Sequence, residues 1–455
     1  MMTGITHTIR KNSQKVLLVL GFFMLLPFGA DLSAQQQRFP EPEFMTPYTL
    51  PETTTPMPRS NLMEYVDVLV LAGVMALTLW LVFKRRSRRW IFWTTVFALL
   101  YFGFYRNGCI CPIGAVQNFV LALAGSGYVL PITVLAFFLL PLILSLFAGR
   151  IFCASACPLG AIQDILVFKP VKVPPWVRHS LGIFPFVYLG LAVLFAVTGS
   201  DFIICRYDPY VGIFRMSAEF PMAVFGISFL LVGAFVARPY CRFVCPYGAM
   251  LKVTSTFSKH HLSITPTDCI NCKLCKDSCP FDAIDAPTDA PEHRIQPSER
   301  KQFLRYILLI PIFVLITGWA VSSAHHYLAR AHPDVQLAKM LLADPSLMHD
   351  ESNLDITTFM ASGRTLDMLV EDAGEVTRQF KAGSRYLGGF LGLVIALTLL
   401  QQLTYRRRTI YQANRSNCLS CGRCMDFCPV GKPDHPWFIE NPDHLTHENQ
   451  KHPNS

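Results

Sequence analysis

Long runs of almost unbroken apolar residues alternate along the chain with short polar or basic joints. The runs fall at Met63–Phe83, Trp90–Tyr105, Pro131–Phe147, Leu181–Val197, Pro221–Val236, Phe303–Val321 and Leu387–Leu403. A bilayer core of ~30 Å takes ~20 helical residues to cross. The pattern therefore predicts an all-α polytopic membrane protein with about seven transmembrane helices. Lys84-Arg85-Arg86-Ser87-Arg88-Arg89 separates the first two runs, and Arg406-Arg407-Arg408 follows the last. Basic clusters beside spans mark the cytoplasmic face. Seven crossings that begin outside then leave the C-terminus inside.

The flanks of the runs divide the chain further. Residues 1–34 have a basic start (Arg10, Lys11, Lys15) and a short apolar core, the layout of a signal peptide or signal anchor. Residues 35–62 are an exocytoplasmic Pro-rich linker, with Pro, Thr and Gln concentrated over Gln35–Arg59. Residues 63–258 form a five-helix membrane domain. Residues 303–403 form a transmembrane hairpin whose exocytoplasmic loop, 322–386, carries apolar residues at helical spacing. Composition agrees with this layout. Of 455 residues, 52% are hydrophobic and 16% charged, against about 25% charged in soluble domains. The net charge of +9 belongs to the basic joints, and no nucleic-acid partner is expected.

The cysteines carry the chemistry. Cys269-x-x-Cys272-x-x-Cys275-x-x-x-Cys279-Pro280 recurs with the same spacing as Cys418-x-x-Cys421-x-x-Cys424-x-x-x-Cys428-Pro429. This is the bacterial spacing for a [4Fe–4S] cluster, in which the fourth cysteine of each run ligates the other cluster. One cube is thus assigned to Cys269, Cys272, Cys275 and Cys428, and the other to Cys418, Cys421, Cys424 and Cys279. Zinc needs only four such ligands, so the doubled, Pro-terminated run argues against it. The two runs occupy residues 259–302 and 404–455, on either side of the hairpin. They read as a cytoplasmic two-cluster ferredoxin unit split by two membrane crossings.

A second repeat pairs Cys153-x-x-x-Cys157-Pro158-x-Gly160-Ala161 with Cys241-x-x-x-Cys245-Pro246-x-Gly248-Ala249. CxxxC spacing on a helix puts both thiols about one turn apart on one face. These four are candidate ligands of a further iron–sulfur cluster at the cytoplasmic boundary, with two metal-free dithiols as the alternative. A shorter variant, Cys109-x-Cys111-Pro112, falls at the outer face with Cys205. Those three thiols suit either a metal or a disulfide. Near them, Asp201, Arg206, Asp208, His325 and His326 are candidate quinone or proton contacts, or simply interfacial polar residues. No P-loop, Rossmann fingerprint or hydrolytic triad is evident.

From about Met63 to the C-terminus the chain resembles the membrane polyferredoxins of the NosR/NapH type, through the two CxxxCP motifs and the two ferredoxin runs. The resemblance implies a multi-pass protein of the bacterial inner membrane that moves electrons to an exocytoplasmic respiratory reductase or to its flavin-containing donor. It also implies two alternatives: a factor that matures a copper or haem enzyme, or a quinol dehydrogenase subunit served by the quinone pool. NosR-type proteins carry a large N-terminal flavin domain where this chain has the Pro-rich linker. A flavin-binding partner on a separate chain is the corresponding expectation.

Overall fold

A computed structural model describes residues 60–440 apart from 109–111, 126, 169, 217–218, 266–268, 289–296, 350–352, 404–407 and 433. The signal segment, the linker up to Arg59, Cys109, Cys111, Arg406 and Arg407 lie outside the described residues. The chain divides into units 1–69 and 70–455. Of the first, the described part is essentially the opening of the helix Asn61–Trp80. The second holds every feature that follows.

Among the described residues the chain is mostly helical, with one two-stranded sheet. Four helices are long and apolar enough to cross a membrane: Leu62–Arg85, Pro175–Val197, Phe303–Ser323 and Leu366–Gln402. Two more of the expected runs form shorter helices, Ile132–Ala148 and Phe220–Phe235, of 17 and 16 residues. The run at 90–105 is a helix, Arg88–Ala98, that widens into a π-helical stretch, Leu99–Tyr105. Pro112–Leu123 is a further apolar helix, absent from the hydropathy runs because it is only 12 residues long.

The hairpin consists of two long helices, Pro297–Ser323 and Leu366–Leu403. Only 6% of the most apolar stretch of the first is buried, and Leu308, Leu315 and Trp319 stand fully outward. Such a surface suits lipid and not water. Glycine lets the two backbones approach. A Cβ on Gly388 would strike the Thr317 carbonyl, and one on Gly392 the Thr317 hydroxyl. Small residues at four-residue spacing are a common device for close packing of membrane helices.

The second helix has 38 residues, which at 1.5 Å per residue is ~57 Å, far longer than a bilayer core. Its first half carries a small helical cap. Pro333–Ala343 and Leu354–Ala361 pack there through Leu337, Leu341, Ile356, Phe359 and Leu369.

At the other end of the hairpin the two ferredoxin runs meet. Strand β1 (Ile284–Asp285) pairs antiparallel with β2 (Gln412–Ala413), Ile284 opposite Ala413. Asn414 N donates to the Ala283 carbonyl at 2.8 Å, and Arg408 pairs with Asp285 at 2.8 Å. Residues more than a hundred positions apart thus build one small unit.

Replacing Gly392 by Val should lower stability by about 1–3 kcal/mol through overpacking. Thermal unfolding in detergent would register this as a lower midpoint. An unchanged midpoint would mean that the two hairpin helices are not in contact at Thr317.

Candidate functional site: three hollows, each lined by four cysteines

Both ferredoxin runs fold by the same backbone device. Asn271 and Lys273 have φ of 55° and 68°, and the equivalent Ser420 and Gly422 have φ of 53° and 75°. These left-handed turns curl the first three cysteines of each run inward. The fourth cysteine precedes Pro, which disfavours the helical region for it. Cys279 is accordingly extended, at φ −80° and ψ 110°, and points away from its own run.

The result is an exchange of cysteines. Cys269, Cys272 and Cys275 line a hollow of about 300 Å³ together with Cys428. Cys418, Cys421 and Cys424 line one of about 340 Å³ together with Cys279. The short helices Leu274–Ser278 and Arg423–Asp426, which carry the middle of each run, pack on each other.

The two CxxxCP motifs meet in the same manner. Cys153, Cys157, Cys241 and Cys245 line a third hollow of about 310 Å³. Their local structure differs from the helical face expected of CxxxC. Cys153 lies in a π-helical turn, Phe152–Ala156, and Cys241 in the short helix Pro239–Phe243. Cys157 and Cys245 are extended, with ψ of 115° and 113°, and cap the next helices, Pro158–Ile165 and Pro246–Thr256. Pro158 and Pro246 impose this break. Each motif therefore offers its thiols from two elements.

The donor sets fit iron–sulfur clusters. Each hollow presents four thiols and no carboxylate. Among the described residues no three His, Cys, Asp or Glu side chains converge closely enough to share one ion, as a tetrahedral zinc site requires. A cubane instead binds each thiolate through a different iron, which calls for thiols spread around a void. Burial pushes the Cys241 thiol up to about 11 and the Cys418 thiol up to about 12. They would be protonated unless a metal took the proton's place. Polar N–H groups already face the sulfurs. Gly248 N lies 3.2 Å from Cys245 Sγ, Gln163 Nε2 3.4 Å from Cys241 Sγ, and Ser420 N 3.4 Å from Cys418 Sγ. Hydrogen bonds to sulfur are one lever on cluster potential.

One carboxylate joins the sites. Asp164, fully buried on the helix Pro158–Ile165, pairs with Arg88, with Arg238 at 3.4 Å and with Arg423 at 3.4 Å. Burial raises its pKa, but Arg238, Arg88 and Arg423 outweigh burial and hold it well below the usual carboxylate range. Arg238 stands three residues before Cys241, and Arg423 lies between Cys421 and Cys424. Arg238 also donates to the Cys153 carbonyl, and Arg88 Nη1 to the Cys421 carbonyl at 2.9 Å. Arg238 lies within electrostatic reach of Cys241, Cys421 and Cys153, cysteines of two hollows. Cys424 in turn feels Cys275 of the first hollow. The Asp164 ion group ties the Cys418 run to the second CxxxCP motif, and the Cys418 run packs on the Cys269 run through their short helices, so the Cys418 hollow adjoins each of the other two. Arg238 and Arg150 hold the same place, three residues before the first cysteine of each CxxxCP repeat; nothing in the spacing of Asp164 or Gln163 marked them in the sequence.

The remaining candidates among the described residues line none of the three hollows. Cys205 is exposed on the short helix Ile203–Arg206, and its sulfur would lie 3.0 Å from a Cβ on Gly114, three residues after Cys111. Asp201 pairs with Arg206 at 2.9 Å. Asp208 is buried and accepts from Tyr210 N at 2.8 Å and from the Tyr240 hydroxyl, so it anchors a turn. His325 is buried, stacks near His326 and hydrogen-bonds the Ser322 carbonyl at 2.7 Å.

Comparison with known proteins agrees with the cysteine architecture. A family model described as a 4Fe-4S binding domain matches residues 130–183 and 219–265, each range enclosing one CxxxCP motif. A second 4Fe-4S binding domain model matches 262–285, the first ferredoxin run. NirI of Paracoccus denitrificans is 27% identical over 253 residues, 52% of this chain and 36% of NirI. NosR of Pseudomonas aeruginosa is 26% identical over 221 residues, 45% of this chain and 30% of NosR. The uncharacterized protein MJ0750 of Methanocaldococcus jannaschii is 27% identical over 191 residues, 40% of this chain and 77% of that one. The chain thus spans about a third of the length of NirI and NosR. No solved structure matches it. The chain carries 4Fe–4S ferredoxin domains and is homologous to NirI and NosR, consistent with a polyferredoxin of the NosR/NapH type. It is an iron–sulfur electron-transfer protein with apolar helices suited to a membrane.

Replacing Asp164 by Asn should be severe. It leaves Arg238, 0% exposed, without its counter-charge, and breaking a buried pair costs about 3–5 kcal/mol. Removing Lys172, whose pair with Asp277 is more than half exposed, should change little. Folded yield and unfolding midpoint of the two variants test the contrast. Equal behaviour would remove Asp164 from its central place.

Proposed function

We propose that the chain holds three [4Fe–4S] clusters and conducts electrons between the cytoplasmic side of the inner membrane and an exocytoplasmic respiratory reductase or its flavin-containing donor. The observation that carries this reading is the set of three four-cysteine hollows of nearly equal size, about 300, 340 and 310 Å³. Their cysteines come from pairs of distant motifs in every case. The clusters supply one-electron redox chemistry; the protein sets their spacing, burial and hydrogen bonding. In this reading Cys153, Cys157, Cys241 and Cys245 hold the cluster nearest the membrane. The Cys418-run cluster, completed by Cys279, stands in the middle, and the Cys269-run cluster, completed by Cys428, faces outward from the membrane domain.

The basic joint after the first span supports a cytoplasmic place for the ferredoxin unit. Arg86 Nη2 donates to the Ser263 and Ile264 carbonyls at 3.1 and 2.6 Å, and Arg88 holds Cys421 and Asp164. The ferredoxin unit therefore sits on the face that carries the arginines, which the positive-inside tendency assigns to the cytoplasm. A reducing compartment also suits its thiolates. The cap on Leu366–Leu403 then faces outward, where a reductase or flavin protein would dock. Cys205, with Cys109 and Cys111, would be the outer stage of the path.

Iron and acid-labile sulfide per chain, with EPR, on protein purified anaerobically test the count. Two cubes give about eight irons. The expected result is clearly more than eight, with one signal lost in Cys241→Ala. Eight irons and no change in that variant would leave the CxxxCP thiols without a cluster. Cys428→Ala should damage the cluster built on the Cys269 run. Loss confined to the Cys418-run signal would refute the exchange of fourth cysteines.

A further inference from the structure

A fourth cavity, of about 520 Å³, adjoins the CxxxCP hollow and shares Arg150, Cys241 and Gly248 with it. Its lining brings together four cationic side chains, Arg150, Arg178, Arg242 and Lys252, and no carboxylate. They come from four places: the turn before Cys153, the start of the span Pro175–Val197, the residue after Cys241, and the helix Pro246–Thr256.

Four like charges at one cavity oppose folding unless something neutralises them. Among the described residues none of the four has a carboxylate within ion-pair distance. Their partners are neutral. Arg178 Nη1 donates to the Asp282 carbonyl at 3.2 Å, Arg242 Nη2 to the Phe281 carbonyl at 3.3 Å, and Arg150 Nη1 to the Ser416 carbonyl at 3.4 Å. The Lys252 ammonium stands 6.0 Å from the Phe186 ring centre. The Asp282 carboxylate is the acid whose field Arg242 feels, and it makes no ion pair with any of them. Two donors remain without any partner: Arg150 Nε, on a side chain only 5% exposed, and Arg242 Nη1.

Thiolate charge in the adjoining hollow accounts for part of this. Arg150 Nη2 lies 3.9 Å from Cys153 Sγ. It does not account for Arg178 and Lys252, which make no contact with sulfur. Arginine forks and a lysine point charge around one space are the recognition set for phosphate oxygens. The apolar side of the cavity, Pro185 and Phe186, belongs to the beginning of a membrane span. Basic pockets beside spans on the cytoplasmic face are where anionic headgroups bind.

We propose that this cavity is a phosphate-binding site, taking the phosphate of an anionic phospholipid headgroup or a free phosphate. A bound phosphate would tie the start of the Pro175–Val197 span to the ferredoxin carbonyls at Phe281 and Asp282 and to the CxxxCP motif through Arg150.

The test uses the full chain in neutral detergent, with radiolabelled orthophosphate in equilibrium dialysis. A second arm uses nanodiscs of phosphatidylcholine with and without cardiolipin, read by native mass spectrometry. The variant is Arg178→Gln with Lys252→Gln, chosen because neither residue touches a thiol; Lys172→Gln is the control. Saturable binding of either probe, at least tenfold weaker in the double variant and unchanged in the control, supports the site. Cardiolipin retained without orthophosphate binding identifies the headgroup as the source; orthophosphate bound without cardiolipin retention identifies a soluble phosphate. Absence of saturable binding of both probes overturns the proposal, as does unchanged binding in the double variant. Should that variant fail to fold, the wild-type unfolding midpoint decides. A ligand that binds the folded state raises it, and no rise with either probe overturns the site. Iron content is measured in parallel, so a missing cluster and a missing phosphate site give different results.

Discussion

The buried carboxylate of Asp164 is the constraint around which the redox region is assembled. It stands on the helix that follows Cys157 and meets arginines from the helix Arg88–Ala98, from the start of the second CxxxCP motif and from inside the second ferredoxin run. A charge removed from water persists only where partners surround it. Here the partners come from segments more than three hundred residues apart, so the ion group forms only when all of them are in place. One acid against three arginines leaves the group net positive. Its central cation, Arg238, faces cysteines of two hollows. In the proposed reading, the negative charge of thiolate-bound clusters on both sides balances that excess.

The same local rule builds all three cysteine sets. A cysteine placed before Pro is kept out of the helical region and reaches away from its own motif. In the ferredoxin runs this hands Cys279 and Cys428 to the opposite hollow. In the CxxxCP motifs it splits each pair between two elements. Glycine at position 422 adds a steric demand to a conformational one: its φ is 75°, and a Cβ there would lie 3.0 Å from Ile91 Cδ1. The equivalent Lys273 adopts the same left-handed turn with a full side chain. At this turn the second run is therefore pressed against the helix Arg88–Ala98, while the first has room for a lysine.

Cysteine spacing made the ferredoxin unit and the pairing of the CxxxCP motifs legible, because each cluster type imposes a spacing on its ligands. Hydropathy made the hairpin legible for the same reason: a bilayer imposes a length. Where no such external length acts, the sequence was silent. Asp164 and Gln163 are single polar residues whose meaning depends on neighbours brought by tertiary folding. The π-helical turn at Phe152–Ala156 has no propensity signature, and it converts the expected one-face CxxxC into two separate donors. The residues Asp208 and His325, candidates for proton or quinone contact on sequence grounds, are buried and occupied by local hydrogen bonds.

The order of the hollows bears on what the split ferredoxin achieves. A hairpin inserted into a ferredoxin costs closure entropy, but that cost grows only slowly with loop length, and here the loop is itself a packed pair of helices. In return, the two hairpin helices lie in the chain between β1 and β2, so the ferredoxin unit is tied to them on both sides of its own sheet. Both runs touch the region 63–258: the Cys418 run through Arg88 on the Cys421 carbonyl, and the Cys269 run through Lys172 on Asp277. A ferredoxin attached only by a tether at one end would be free to present either cluster to the membrane. Anchoring through its middle removes that freedom.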